Sequence, residues 1–233
     1  MPIDDCFLFL DSMTVETWKN CMTIDDSNIA TRRVPQQPRS QKKVALLLET
    51  AMKLFCESGM DQVSMREIAR ASEMPIATVY QYFPNKQAMI KMIWENYTTA
   101  IGELLESQLR IIQKSPEKQS VQRVIDRVVD SIAQYHDRNP AFLEIRRCVE
   151  ATPDLRKLNY EDTLRVSGLI RDAITAVNPE TDPSALKNYS VIATEAASST
   201  IRLGQQMNAK QRRELYHSLK SFLWHFYRSL ATP

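Results

Sequence analysis

Apolar residues recur along this chain at intervals of three and four, the spacing that lines one face of an α-helix. From about Ser40 to Ser58, Val44, Leu47, Leu48, Ala51, Leu54 and Phe55 keep that spacing, and Gly59 supplies a stop. Ser64 and Glu67 make an S-x-x-E capping box, so a second helix is expected there with Ile68 and Ala69 on its contact face. Glu73-Met74-Pro75 breaks it, because proline drives the preceding residue out of the helical region and suits the first turn of a new helix. Ile76 to Phe83 is the third helix, in which Ala77, Val79 and Phe83 mix with exposed-looking Thr78, Tyr80, Gln81 and Tyr82. Asn85 caps a fourth, whose apolar residues Met89, Ile90, Ile93, Tyr97, Ile101, Leu104 and Leu105 carry it to about Gln113, before Ser115-Pro116 interrupts.

Five more helices follow. Ser120 to Tyr135 is amphipathic through Val121, Val124, Ile125, Val128 and Ile132. Asn139-Pro140 opens a short helix through Phe142, Ile145 and Val149, and Thr152-Pro153 opens a long one ending near Val177. Pro183 starts a helix that Gly204 is expected to end, and a last helix spans about Ala209 to Leu230. The predicted class is all-α, with about nine helices and no strand. A hydrophobic content of 43% is ample for a core, and only four glycines interrupt the helix-forming runs.

The net charge of +2 says little about partners, but its distribution says more. Residues 1–30 are acidic, with Asp4, Asp5, Asp11, Glu16, Asp25 and Asp26 against Lys19. Residues 31–43 are basic, with Arg32, Arg33, Arg39, Lys42 and Lys43 and no acid. Residues 1–38 are expected to be a disordered tail, with at most a turn or two over Val15 to Met22. Met13 and Met22 raise the side expectation that translation starts later. The apolar run Cys6 to Leu10 follows acids rather than a basic region and is too short to span a bilayer. Cys6, Cys21, Cys56 and Cys148 are scattered, so neither a disulfide framework nor a zinc site is indicated, and a reducing cytoplasm fits. No cofactor or metal is expected.

Two short helices with a tight corner form the kind of unit that places its second helix in the DNA major groove. The residues are specific: Ala51-x-x-Leu54-Phe55-x-x-x-Gly59, Ser64-x-x-Glu67-Ile68-Ala69-x-Ala71, and Thr78-Val79-Tyr80-x-Tyr82-Phe83-x-Asn85-Lys86. With these residues the chain resembles the tetracycline-repressor (TetR) family of bacterial transcriptional regulators over about residues 39–98. The resemblance implies an N-terminal helix-turn-helix DNA-binding domain over 39–98, its motif at 64–83. A long helix then leads into a C-terminal helical ligand-binding and dimerisation domain over 99–233. Two positions depart from the family pattern. Glu73 stands where the family usually has glycine, which calls for a left-handed non-glycine residue or a different turn. Pro75 stands where serine is common and loses a hydroxyl.

By the same resemblance, Ser64, Thr78, Tyr80 and Lys86 hold phosphates. Arg66, Ile76, Ala77, Gln81 and Tyr82 occupy positions that face bases, Pro75 stands at a DNA-contacting position where the family's serine meets a phosphate, and Arg39, Lys42 and Lys43 act as a basic arm. Hydroxyls and an ammonium suit phosphate, while Arg66 can read guanine, Gln81 adenine and Ala77 a thymine methyl. Ala193, Ala196, Ala197, Leu219, Phe222, Leu223 and Phe226 on the last two helices correspond to a homodimer interface. Trp94, Tyr97, Phe142, Arg146, Tyr160 and Glu195 are candidates for lining an effector cavity. The implied protein is a ligand-responsive repressor, cytoplasmic and at the nucleoid, holding a palindromic double-stranded operator as a dimer and answering to a small-molecule effector. Membrane association is not expected.

Competing classes are weaker. No G-x-S-x-G, H-E-x-x-H, P-loop or dinucleotide glycine pattern occurs, and His136, His217 and His225 are unclustered, so an enzyme is not expected. The alternative is a helical ligand-binding or assembly protein that has lost sequence-specific DNA binding, an idea that Glu73 and Pro75 keep open.

Overall fold

The computed structural model describes residues 37–114 and 118–230. Residues 1–36 of the expected tail, its turn over Val15 to Met22, Cys6 to Leu10, Arg32, Arg33 and the Ser115-Pro116 break lie outside the described residues. Within them the chain forms nine α-helices and one 3-10 turn, with no strand. It divides into two compact units.

The first unit runs to Thr99 and takes in 138–158 as well. It contains α1 (Pro38–Ser58), the 3-10 turn Met60–Gln62, α2 (Met65–Ala71), α3 (Ile76–Tyr82) and the beginning of α4 (Lys86–Lys114). It also contains α6 (Phe142–Ala151) and the first residues of α7 (Pro153–Val177). On α4 the first unit ends at Thr99, and it also takes in 138–158, although residues 100–137 come before that segment in the chain. The physical reason is burial: Phe142, Ile145, Val149 and Leu155 are all in the core. Fully buried Leu47, Leu48, Phe55, Ile68, Val79, Phe83, Met89 and Ile90 complete that core. Gly59 ends α1 at φ 79, and its N–H donates to the Phe55 carbonyl at 2.9 Å.

Arg39, Lys42 and Lys43, the expected basic arm, are helical. All three stand exposed on the opening turns of α1, because Pro38 begins that helix two residues earlier than the apolar spacing indicated.

The second unit contains the remainder of α4 and of α7, α5 (Lys118–Arg138) up to Asp137, α8 (Pro183–Gly204) and α9 (Ala209–Leu230). Asp182 caps α8 by accepting from Ala185 N at 2.7 Å, with Pro183 at the first helical position. Leu105, Leu109, Val121, Val124, Ala173, Leu186, Tyr189, Ala193, Leu219, Leu223 and Tyr227 form its apolar centre. Polar tips pin the helices at the margins of that core. Tyr189 donates to the Leu223 carbonyl at 3.2 Å, Asn178 Nδ2 to Tyr227 Oη at 2.9 Å, and Lys220 pairs with Asp130 at 2.6 Å.

Gly204 does not act as a left-handed stop. It is the last residue of α8, and a Cβ there would sit 2.7 Å from the hydroxyl oxygen of Tyr216. Glycine is needed for the close approach of a ring.

Candidate nucleic-acid interface and effector cluster

Ser64 caps α2 through a reciprocal box. Its Oγ accepts from Glu67 N at 3.2 Å, while Glu67 Oε2 accepts from Ser64 N at 2.7 Å and from the Ser64 hydroxyl at 2.8 Å. The Ser64 backbone N–H, then its hydroxyl, hold the Glu67 carboxyl below the ordinary carboxylate range, with Arg70 and Lys86 adding to the effect and burial opposing it. A serine has one hydroxyl proton. Here that proton and the Ser64 N–H both go to Glu67, so Ser64 offers a phosphate no donor unless the box opens. In the free protein the Ser64 hydroxyl serves as the cap of α2.

The corner between α2 and α3 is a Schellman turn built without glycine. Met74 N donates to the Ala69 carbonyl at 2.9 Å and Glu73 N to the Arg70 carbonyl at 3.1 Å, the paired closure of that motif. Glu73 takes the left-handed position at φ 54. The strained non-glycine residue expected from the sequence is therefore present. Pro75 sits at the N-cap of α3 rather than inside its first turn, and its carbonyl accepts from Thr78 N at 2.8 Å.

On α3, Val79 and Phe83 are fully buried, which turns the opposite side outward. Ile76, Ala77 and Gln81 are exposed, Tyr80 is 41% exposed and Thr78 is half-buried. Arg66 and Pro75 are exposed nearby in sequence. Tyr82 breaks the expected pattern: at 6% exposed it belongs to the core and not to a base-facing surface. It lies three residues from Val79, on the side of the helix that packs inward.

Asn85 caps α4 by accepting from Ala88 N at 2.9 Å. Lys86 Nζ donates to the Met60 carbonyl at 2.6 Å, which uses one of its three N–H groups.

The aromatic candidates on α4 and α6 do come together. Trp94 and Phe142 stack with centroids 5.3 Å apart, Tyr97 stacks on Phe142, and the Arg146 guanidinium lies 5.8 Å from the centre of the Trp94 ring. Arg146 is also paired with Glu150 at 2.8 Å. Tyr160 is not part of this cluster; at 62% exposed it stands on the surface of α7. Glu195 accepts from Thr163 Oγ1 at 2.6 Å, which ties α8 to α7 and gives its carboxylate a partner.

Of the dimer candidates, Ala193, Leu219 and Leu223 are buried within the second unit, so their packing is intramolecular. Ala196, Ala197 and Phe226 are half-buried. Phe222 is 50% exposed and continues a ring chain with Phe226 at 5.7 Å and Tyr189 at 4.6 Å. Sequence reasoning missed exposed Ile192 and Leu203 on α8. Their apolar character alone could not tell an outer face from a core.

A capped helix, a tight corner and a short helix with an outward polar face define a helix-turn-helix regulator. The family described as bacterial regulatory proteins, tetR family, matches residues 47–93. The tetracyclin repressor-like C-terminal domain matches residues 119–225. The chain belongs to the TetR family of bacterial transcriptional regulators.

Two curated relatives match the head. HTH-type transcriptional regulator AcrR of Shigella flexneri is 35% identical over 65 residues, 28% of this chain and 30% of that protein. An uncharacterized HTH-type regulator of Bacillus subtilis, YuxN, is 35% identical over 57 residues, 24% of this chain and 20% of that protein. The chain thus spans less than a third of either relative. Among solved structures, a TetR-family regulator from Mesorhizobium loti shares the fold at TM-score 0.63 and 18% identity, covering 83% of this chain and 98% of that one. SmeT in complex with triclosan aligns at TM-score 0.59 and 13% identity, covering 77% and 90%.

Proposed function

We propose that the protein is a ligand-responsive transcriptional repressor, not a catalyst, that binds a palindromic operator as a homodimer. The observation that carries this reading is the outward face of α3: Ile76, Ala77, Tyr80 and Gln81 are exposed while Val79 and Phe83 anchor the helix from behind. A short helix so held presents side chains to a major groove in a fixed orientation. Tyr80, Thr78 and Lys86 hold phosphates and set the register; Arg66, Gln81 and Ala77 meet base edges.

One recognition helix reads few base pairs, so a second copy on a two-fold axis supplies the rest. Exposed Phe222, Ile192 and Leu203 on α8 and α9 support self-association there. The ring cluster of Trp94, Tyr97 and Phe142 supports a small-molecule response, and the triclosan found with SmeT shows that a relative of this fold takes one. Effector binding displaces α4, and with it the head, from the spacing that successive grooves demand; such coupling is typically about 1–3 kcal/mol. No helix among the described residues is long and apolar enough to cross a membrane, and the place of action proposed is the bacterial cytoplasm at the nucleoid.

Selection of bound sequences from a random duplex pool tests the reading. A two-fold symmetric sequence should be enriched, and its affinity should fall steeply with salt. Tyr80→Phe should weaken binding evenly across sequences, and Gln81→Ala should relax preference at one base pair. A pool with no enrichment sinks the proposal.

A further inference from the structure

Asn96 lies on α4 with no part of its side chain accessible, and neither its Oδ1 nor its Nδ2 has a hydrogen-bond partner. A buried amide left unpaired costs about 1–3 kcal/mol for each unsatisfied group, and an apolar side chain of similar size would remove that cost. Folding alone gives no reason for an asparagine at this position.

Its neighbours along the same side of the helix are Met89, Met92 and Ile93, seven, four and three residues earlier, and all are buried. Half-buried Thr99 follows three residues later on that side, so the amide stands on a mostly thioether and aliphatic stretch of α4. Ligand sites have this composition, a mostly apolar lining with a few placed polar groups. Methionine adds adaptability, since its unbranched side chain repacks around an incoming group at low cost.

We propose that Asn96 is the polar anchor of the effector site and that the effector is an uncharged apolar molecule carrying an amide, as a carboxamide or a lactam. The proposal rests on the ligand-responsive reading above. An asparagine side chain offers a carbonyl acceptor beside N–H donors, and an amide returns the complement of both in one planar contact. An ester or a carboxylate lacks the N–H and leaves Oδ1 unpaired. The charged groups beside it in sequence and in the ring cluster are paired: Glu95 with Lys91 at 3.9 Å, and Arg146 with Glu150 at 2.8 Å. The indole Nε1 of Trp94 is a second buried atom without a partner, but two residues are about 200° around a helix, so it faces another side and is no part of this anchor. Asn96 lies ten residues, about 15 Å, along the same helix from Lys86, so a ligand held there acts on a continuous rigid element of the head.

Calorimetry on the full chain tests this with 3-phenylpropionamide as the probe and methyl 3-phenylpropanoate as its counterpart without an N–H. The wild type is expected to bind the amide at least about tenfold more tightly than the ester. Asn96→Leu should abolish that preference and should unfold at or above the wild-type temperature. Equal affinity for amide and ester, or no heat with the amide, overturns the proposal from the wild type alone. A lower unfolding temperature for Asn96→Leu with the amide preference intact also overturns it, and assigns Asn96 to an internal water. A mobility shift with duplex DNA separates the two readings. Amide discrimination without any DNA binding removes the repressor and leaves the anchor, and the reverse result removes only the anchor.

Discussion

The Lys86 ammonium donates to the Met60 carbonyl at 2.6 Å, tying the first residue of α4 to the turn that follows α1. The bond is partly buried and charge-assisted, so its loss should be felt. Lys86→Ala is expected to lower stability by about 1–2 kcal/mol, read by urea denaturation. Because two N–H groups remain, the same lysine can also meet a phosphate. Its removal should therefore shallow the salt dependence of DNA binding by about one unit of slope. An unchanged slope would confine Lys86 to its structural bond.

Glu73 at φ 54 carries the strain of a side chain in the left-handed region, on the order of 1 kcal/mol. Glycine removes that strain but adds freedom to the unfolded chain. Glu73→Gly should be neutral to about 1 kcal/mol stabilising, and β-branched Glu73→Val destabilising by about 1 kcal/mol or more. Thermal unfolding should rank the three as Gly, Glu, Val.

Glu95 gives the protein a pH response. Burial raises its carboxyl from an ordinary value of 4.5 to about 7, with Lys91 opposing the shift. Between these values the folded chain holds a proton that the unfolded chain has lost, so this group makes stability fall as pH rises from about 4.5 to 7 and level off above. Other acids titrate in the same range, so the comparison is with Glu95→Gln. That variant should gain up to about 2–3 kcal/mol at pH 8 and nothing at pH 4.5. Equal stability of the two proteins across that range would refute the shift.

Tyr216 is buried against Gly204, and its hydroxyl donates to the Ile201 carbonyl at 2.9 Å. That bond fixes the ring, so it cannot swing away from an added methyl. Gly204→Ala should destabilise by about 1–2 kcal/mol, crowding outweighing the better helix propensity of alanine. In a Tyr216→Ala background the same change should cost little, and additivity in the double-mutant cycle would be evidence against the contact.

Phe222 is half exposed at the outer end of a ring chain that reaches inward through Phe226 to Tyr189. Phe222→Asp should leave the fold intact and shift sedimentation toward the monomer, with operator affinity falling alongside. A variant that remains dimeric at micromolar concentration would move the self-association face elsewhere.

Much of this molecule is legible from its sequence because the features concerned are local. Helix periodicity depends on residues three and four apart, the box of Ser64 and Glu67 closes within one turn, and the demand on Glu73 follows from a corner that neighbouring residues dictate. Those features gave the all-α class, the helix-turn-helix and the oddity of its corner. Tertiary packing decided what depends on residues far apart in the chain. It put Tyr82 inside and Tyr160 outside, took the Ser64 hydroxyl proton into the cap, and tied Lys86 to Met60. It gave Gly204 a ring to make room for, drew α6 into the first unit, and left the Asn96 amide buried without a partner. Periodicity marks the apolar side of a helix, but only the assembled chain determines what that side meets and which polar atoms remain unmatched.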